Sequence, residues 1–329
     1  MTESDAIIVG GGPAGSTCAW KLLEAGRSVI VLDKQEFPRT KPCAGWITPR
    51  VLRDLRLNAQ EYPYTLERFD ALHFHFGSRR VPFPTLQYAI RRVEFDAWLL
   101  RRSAVTVHQH AVTDIRKEGA AYVVDDAYRC RYLVGAGGTN CPVYRTFFRN
   151  VRPRVLELQI TAMEDEVPSR PLQKGCHLWF AREVPGYSWY VPKGDAALNV
   201  GVGGKSRSIE TRAKNIHQYW DDLVERLRAA SYLAGEPLRP RGYVYYLRHD
   251  SGPVQIESAY LVGDAAGLAT RDLGEGIGPA VRSGILAAEA IVSGKRYSIS
   301  SIPTYSAYDI LFPRFRARIH RPSFDAARA

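Results

Sequence analysis

The residues best suited to chemistry stand at the start of the chain. Gly10, Gly12 and Gly15 form a Gly-x-Gly-x-x-Gly turn directly after the apolar run Ala6-Ile7-Ile8-Val9, and a helix-forming stretch over 16–25 follows. In such a turn the first glycine permits the bend and the second lets a pyrophosphate approach the backbone. The third lets helix and strand pack closely. Pro13 and Ala14 begin a helix whose free N–H groups and dipole favour phosphate. A second strand, over 28–32, ends in Asp33 and Lys34. Asp33 comes roughly 20 residues after the turn, where a carboxylate binds ribose hydroxyls. The combination points to a bound dinucleotide.

Three further segments carry reactive or ligand-facing groups. Cys43 sits in a loop with Arg39, Lys41 and Ala44. Its thiol is a candidate proton donor or pocket-shaping group, set against the plain alternative of a small buried apolar residue. Tyr187 and Trp189 offer flat apolar walls to a substrate, although strand aromatics also serve simply as core. Late in the chain, a strand runs into Gly263-Asp264, and Gly274-Glu275-Gly276-Ile277-Gly278 opens a helix of small residues. Glycines at that helix start suit a second ligand end. His73 and His75 alternate with aromatics on one strand face; no third ligand is visible, so packing is expected there and no metal. His177, beside Trp179, is within reach of the same cavity and is assigned no role.

The elements that must position these groups read as follows. Two prolines and several cations make 34–46 a loop. Strands are expected over 72–76 and 81–83, joined by Gly77-Ser78, and a helix over 93–103. Further strands are expected over 105–110, 121–125 and 132–135. A second layer follows, with strands over 155–161, 175–180, 188–191 and 197–202 and one helix over 209–229. A strand at 260–262 and the small-residue helix through Ala280, Gly284, Ala287, Ala288 and Ile291 return the chain to the first layer.

A chain of 329 residues can bury a large core and form two domains or one elaborated α/β unit. No apolar run approaches the ~18 residues needed to span a bilayer, and the N-terminus lacks the pattern of a secretory signal. Cys18, Cys43, Cys130, Cys141 and Cys176 show no C-x-x-C spacing, so disulfides and zinc are not expected and a cytoplasmic location is. The net charge of +11 includes Arg314, Arg316, Arg318, His320, Arg321 and Arg328 near the end. That basic segment suits peripheral contact with an anionic membrane, or is a solvated tail. No nucleic-acid motif accompanies it, and no nucleic-acid partner is expected.

Taken together, these segments resemble the FAD-dependent oxidoreductases of the p-hydroxybenzoate hydroxylase superfamily. Arg92-Val93-Glu94-Phe95-Asp96-Ala97-Trp98-Leu99 is similar to its Arg-x-x-Phe-Asp-x-x-Leu segment, whose arginine lies near the cofactor. Val112 corresponds to a position that contacts adenine. Leu133-Val134-Gly135-Ala136-Gly137-Gly138 resembles its Gly-Ala-Asp-Gly element, with Gly137 in place of aspartate. The resemblance implies that Gly263-Asp264 holds the ribityl or phosphate part of FAD and that the loop through Gly274, Gly276 and Ile277 borders the flavin.

Within that superfamily, Phe37-Pro38-Arg39-Thr40-Lys41-Pro42-Cys43-Ala44-Gly45 resembles the Cys loop of the geranylgeranyl-reductase branch, with Ala44 for glycine. Residues 185–193 are similar to its Tyr-x-Trp-x-Phe-Pro segment, with Val191 for phenylalanine. The implied fold is α/β: a Rossmann-like FAD-binding domain (1–70, 90–150 and 255–300) and a smaller interleaved α+β substrate domain on an antiparallel sheet (71–89 and 151–254). Residues 301–329 form the basic C-terminal segment. The implied activity is transfer of hydride from reduced flavin to a C=C bond of an isoprenoid or other lipid-like substrate. Cys43, Tyr187 and Trp189 would be catalytic, with NAD(P)H or a redox protein as donor.

Two departures from the branch stand out. Only about 35 residues follow the last helix where relatives usually carry more, and Arg271-Asp272-Leu273 replaces a Pro-x-Thr type sequence. Arg271 there is either an exposed loop cation or an added charge near the flavin. Two alternatives stay open. One is an oxygen-using monooxygenase or halogenase working through a C4a-(hydro)peroxyflavin, because 186–192 approaches the halogenase Gly-Trp-x-Trp-x-Ile-Pro segment. The other is an FAD-binding electron-transfer or assembly partner.

Overall fold

In the computed structural model, which describes residues 1–235, 237–307 and 310, the apolar run over 6–9 is buried on both faces, as a central parallel strand must be. It ends strand β1 (Thr2–Val9). Helix α1 (Pro13–Glu24), β2 (Val29–Asp33), β3 (Trp46–Ile47), α2 (Pro49–Asp54), β4 (Leu66–Phe76), β5 (Arg79–Ile90) and α3 (Arg92–Ser103) follow. Next come the short strands β6 (Thr106–Gln109), β7 (Ile115–Glu118) and β8 (Ala121–Val124), then β9 (Tyr128–Gly135). The chain continues with β10 (Gln159–Val167), β11 (Cys176–Trp179), β12 (Gly186–Lys193) and β13 (Ala197–Lys205), then α4 (Ser206–Glu210) and α5 (Ile216–Ala229). It closes through β14 (Arg241–Tyr246), β15 (Gln255–Ile256), β16 (Ala259–Leu261) and α6 (Ile277–Ser293).

Two sheets result. The first has the order β15-β16-β9-β1-β2-β6, parallel from β16 to β6, with the β7–β8 hairpin branching from β9. The second has the order β14-β10-β13-β12-β11-β4-β5-β3 and is antiparallel except where β11 runs beside β4. This is an α/β fold with a parallel, Rossmann-like sheet and a mostly antiparallel one. Helix α5 covers one face of the second sheet through Tyr219, Trp220, Leu223, Val224 and Leu227, an apolar stripe at helical spacing.

Several elements differ from expectation for local reasons. The helix expected over 209–229 is two helices. Asn215 caps α5: its side chain accepts from the N–H groups of His217 (3.0 Å) and Gln218 (3.1 Å), and the Gln218 side chain accepts from the Asn215 N–H (2.9 Å). That capping box starts a helix and so ends the previous one. The strand expected from 155 starts at Gln159, after a single 3₁₀ turn at Leu156–Leu158. Strands β4 and β5 are far longer than 72–76 and 81–83. Their polar outer faces hide the alternation, and ladder pairing extends them.

The arginines from 314 onward lie outside the described residues. No helix among the described residues is long and apolar enough to cross a membrane.

Helix α6 lies against α1, and the contact is close. A Cβ at Gly284 would stand 2.4 Å from the Ala14 carbonyl oxygen and 3.1 Å from the Cys18 nitrogen. Backbone cannot yield as a side-chain tip does, so Gly284→Val should destabilise the protein by about 3 kcal/mol, the upper end of overpacking costs. Equilibrium chemical denaturation checks this, and an unchanged midpoint would mean that the two helices do not meet there.

Candidate active site

The carboxyl ends of the parallel strands β1, β2, β6, β9 and β16 open onto one continuous cleft of about 1060 Å³, lined also by the second sheet. Ligands of open α/β sheets bind at such strand ends. The β1–α1 turn forms one part of it. Gly10 has φ +113°, and a Cβ there would lie 2.4 Å from the Ala136 carbonyl oxygen, so only glycine turns the chain this way. Gly12 precedes α1 with no side chain capping the helix, which leaves its first N–H groups free toward the cleft. Asp33 closes the turn from β2: its Oδ2 accepts from the Gly11 N–H (2.8 Å) and its Oδ1 from the Gln35 N–H (2.9 Å).

Cations gather beside this turn. Arg92, at the start of α3, grips Asp96 with two hydrogen bonds of 2.7 Å, one helical turn apart. Burial opposes the Arg92 charge, but Asp96 overcomes it and holds the guanidinium firmly protonated. Arg39 shares the same carboxylate, with Nη1 3.4 Å from Asp96 Oδ2. That Nη1 is buried and makes no hydrogen bond, while Nη2 stands 3.6 Å from where a Gly12 Cβ would be. A guanidinium whose second nitrogen stands next to a glycine turn and an uncapped helix suits an anionic ligand.

The other end of the cleft is built from β16, α6 and the second sheet. Gly263 and Asp264 line it, the Gly263 N–H donating to Ser283 Oγ (2.9 Å). Arg154, stacked on Tyr144 and Tyr246 at 4.0 and 4.9 Å, donates to the carbonyls of Asp264 and Ala265 and so braces this turn. Gly276 precedes α6, and the Glu275 carboxylate accepts from the Gly278 N–H (2.5 Å), so a second helix N-terminus opens on the same cleft with one of its first N–H groups already bonded.

Strand alternation then decides which side chains of the second sheet face inward. Leu178, Tyr187, Trp189, Val191, Tyr243 and Tyr245 line the cleft, whereas Tyr190 packs under α5. Cys43 lies in the lining with Lys41 and Ala44, its Sγ accepting from the Gly45 N–H at 3.4 Å. Two of the aromatic polar tips are committed. Tyr187 donates to the Leu273 carbonyl (2.5 Å) and Trp189 to Asn199 Oδ1 (2.7 Å). Burial holds the Tyr187 phenol protonated well above its usual range.

Of the residues singled out from sequence, Gly10, Gly12, Pro13, Ala14, Asp33, Lys34, Lys41, Cys43, Ala44, Arg92, Val112 and Gly138 line this cleft. So do Tyr187, Trp189, Gly263, Asp264, Gly274, Gly276 and Ile277. Gly15 does not. It faces Gly10, whose carbonyl oxygen would be 1.9 Å from a Cβ there, so its part is packing. Arg271 lines the cleft while remaining exposed, its Nε donating to the Arg248 carbonyl (2.8 Å). His177 turns to the opposite face from Leu178, where His75 Nε2 meets His177 Nδ1 at 2.9 Å and His73 stacks on it at 4.7 Å. Among the described residues no group of three or more metal-binding side chains is placed to hold an ion.

Sequence reasoning missed Arg39 as a ligand-facing cation and overlooked Tyr243 and Tyr245, although their i, i+2 spacing on a strand signals one face. It also missed Glu164, which looks like part of an ordinary acidic strand.

A parallel sheet with a dinucleotide turn, a second helix terminus on the same cleft and an antiparallel substrate wall defines an FAD-dependent oxidoreductase. The FAD-dependent oxidoreductase family model matches residues 5–99. Digeranylgeranylglycerophospholipid reductase 1 of Methanopyrus kandleri is 30% identical, over 88% of this chain and 80% of its own. Menaquinone reductase of Mycolicibacterium smegmatis is 29% identical, over 89% and 77%. A geranylgeranyl bacteriochlorophyll reductase-like structure from Thermoplasma acidophilum superposes with a TM-score of 0.78 at 21% identity, over 89% of this chain and 79% of that one. The chain belongs to the geranylgeranyl reductase family of FAD-dependent oxidoreductases.

The space at Gly12 makes a clean test. Its φ of −71° suits any residue, and its Cβ direction is open except for the Arg39 tip. Gly12→Val should therefore fold with an unchanged melting temperature and lose FAD affinity by about tenfold or more (~1.4 kcal/mol), read by flavin absorbance after gel filtration.

Proposed function

We propose that this enzyme reduces a carbon–carbon double bond of an isoprenoid or other lipid-like substrate, with NAD(P)H or a redox protein restoring its electrons. The observation that carries this reading is the wall of Leu178, Tyr187, Trp189 and Val191, which shares one cleft with the dinucleotide turn and meets it at Cys43. The relatives in Methanopyrus and Mycolicibacterium are named for a digeranylgeranyl lipid and a menaquinone, both molecules with polyprenyl chains. A flat aromatic wall with its polar tips already bonded suits such a chain, since burying it leaves no polar group unpaired.

FAD fits the residues present: Gly10, Gly12 and the α1 N-terminus would take the pyrophosphate, assisted by Arg39, and Asp33 a ribose. Gly263, Asp264, Gly276 and Ile277 would take the flavin end. When bound and reduced, FAD supplies a hydride equivalent to carbon. The chain's own part is to orient the substrate along Tyr187 and Trp189, to exclude water with that wall, and to hold a proton near Cys43. The loop carrying Cys43 is anchored by buried Lys193, which donates to the Cys43 carbonyl (3.3 Å) and pairs with Glu166. Burial works against the Glu166 charge, yet Lys193 and Arg91 hold its carboxyl below the ordinary range. The basic net charge would assist peripheral contact with the anionic membranes where such substrates reside.

The test is anaerobic. Reduced enzyme mixed with a prenyl diphosphate, a prenylated quinone or a geranylgeranylated lipid should reoxidise and yield product heavier by two hydrogens. Trp189→Ala should keep its flavin and raise KM for that acceptor about tenfold or more, the value of one lost apolar contact surface. Productive oxygen consumption, with hydroxylated or halogenated product and no saturated one, would overturn the proposal.

A further inference from the structure

The cleft face of the second sheet hides a carboxyl that the proposed function has not used. Glu164 on β10 is 2% exposed. Its Oε2 accepts a hydrogen bond from Tyr243 Oη at 3.1 Å and its Oε1 from Asn199 Nδ2 at 3.3 Å, and the Cys43 N–H is a further donor to it. Ladder register sets Glu164 opposite Gly201 and Gly201 opposite Trp189. A Cβ on Gly201 would stand 2.2 Å from the indole and 2.8 Å from Glu164 Cβ, so the glycine leaves the room in which the Trp189 ring and the Glu164 side chain share one face of the sheet. Burial pushes the Glu164 carboxyl up to about 7, although Lys193, Asn199, Tyr243 and the Cys43 N–H all pull it down.

The groups facing Glu164 come from several elements. Lys193 on β12 is engaged by Glu166 and the Cys43 carbonyl. Tyr187 on β12 and Tyr245 on β14 both lie close enough to feel the Glu164 charge, and burial holds both phenols protonated. Lys41 approaches the Tyr243 ring at 5.9 Å, and Cys43 stands beside them. Tyr187 donates its hydroxyl hydrogen to a backbone carbonyl, and Trp189 its N–H to Asn199, so neither tip is free to give a proton to a substrate. Tyr243 lines the cleft with its hydroxyl 3.1 Å from Glu164 Oε2, donating to it when Glu164 is ionised; with Glu164 protonated the carboxyl hydrogen donates to Tyr243 Oη instead and leaves the phenol hydrogen for the cleft.

Resting on the double-bond reduction proposed above, we propose that Tyr243 and Glu164 form the proton supply of that reaction, Tyr243 as the catalytic acid and Glu164 as the positioning residue that recharges it. One alkene carbon receives the electron pair as a hydride equivalent from the reduced flavin, which is oxidised by two electrons. At the other carbon a C–H bond forms as the Tyr243 O–H bond breaks. The proton of Glu164 then passes to Tyr243 Oη, and water reprotonates Glu164 after the saturated product leaves. The acid must be protonated at the start, so the rate is full below the Glu164 titration and falls as pH rises through about 7.

Two variants and two readouts test this. In substrate-free, FAD-loaded wild-type protein, infrared difference spectra should show a protonated-carboxyl C=O band that titrates near neutrality. Glu164→Gln should remove that band and Tyr243→Phe should shift it. In anaerobic single turnover with a prenyl diphosphate, Glu164→Gln and Tyr243→Phe should each slow flavin reoxidation by about 100-fold, the usual worth of a general acid, with flavin content unchanged. Glu164→Gln should also lose the pH dependence near 7. A wild-type protein lacking the band, or a Glu164→Gln variant that keeps the wild-type rate and pH profile, overturns the relay alone. Wild-type enzyme that reoxidises with no prenyl acceptor overturns the function and the relay together.

Discussion

Helix α6 can approach α1 closely only because Gly284 presents no side chain to the Ala14 carbonyl, and the rest of the cleft depends on that contact. It brings two helix N-termini, more than 260 residues apart in sequence (Pro13 and Ile277), to the mouth of one parallel sheet. The N-cap residues, Gly12 and Gly276, have no side chains, and only the second terminus has a carboxylate on one of its N–H groups, Glu275 on Gly278. The remaining N–H groups are available to a ligand, and a helix dipole adds a partial positive charge at each terminus. A helix end buried in protein would normally need a cap; here a long anionic cofactor would supply the partner.

Around that pair the electrostatics are arranged in layers. Asp96 is wholly buried between Arg92 and Arg39, and Asp33 on the glycine turn also acts on Arg39, so two cations and two carboxylates meet there. Farther along, buried Lys193 and the half-buried Glu166 and Arg91 form a second chain of charge that ties the Cys43 loop to the antiparallel sheet. Breaking either chain would strand a charge in a poorly solvated place, which costs more than the pair contributes when intact. These networks hold loops, and the loops hold the chemistry.

The second sheet serves two masters through simple alternation. One face of β12 packs Tyr190 beneath α5, and the other presents Tyr187, Trp189 and Val191 to the cleft. The dinucleotide turn and the apolar wall lie in separate sheets, and the wall is itself one hydrogen-bonded ladder of strands rather than a flexible loop. That rigidity is what lets a buried acid such as Glu164 sit at a set distance from Tyr243 and from the Cys43 loop.

Local chemistry in the sequence determined a good deal of this protein. The glycine turn, Asp33 and the late Gly263-Asp264 pair identify a dinucleotide cleft, because backbone approach and ribose binding demand particular residues at particular spacings. The break between α4 and α5 is legible too, because Asn215 and Gln218 form a capping box inside the helical run. Other features depend on residues that touch only after folding. Gly15 packs against the turn without lining the cleft, because its Cβ direction meets the Gly10 carbonyl. His177 leaves the cleft, because ladder register turns it to the other face of β11. Glu164 stands among Met163, Asp165 and Glu166 in a stretch that reads as a solvated strand. Only the strands β13 and β14 laid beside it, and the Trp189 ring above it, take it out of water. Burial and hydrogen-bond partners belong to the tertiary structure, and they turn an ordinary glutamate into an acid.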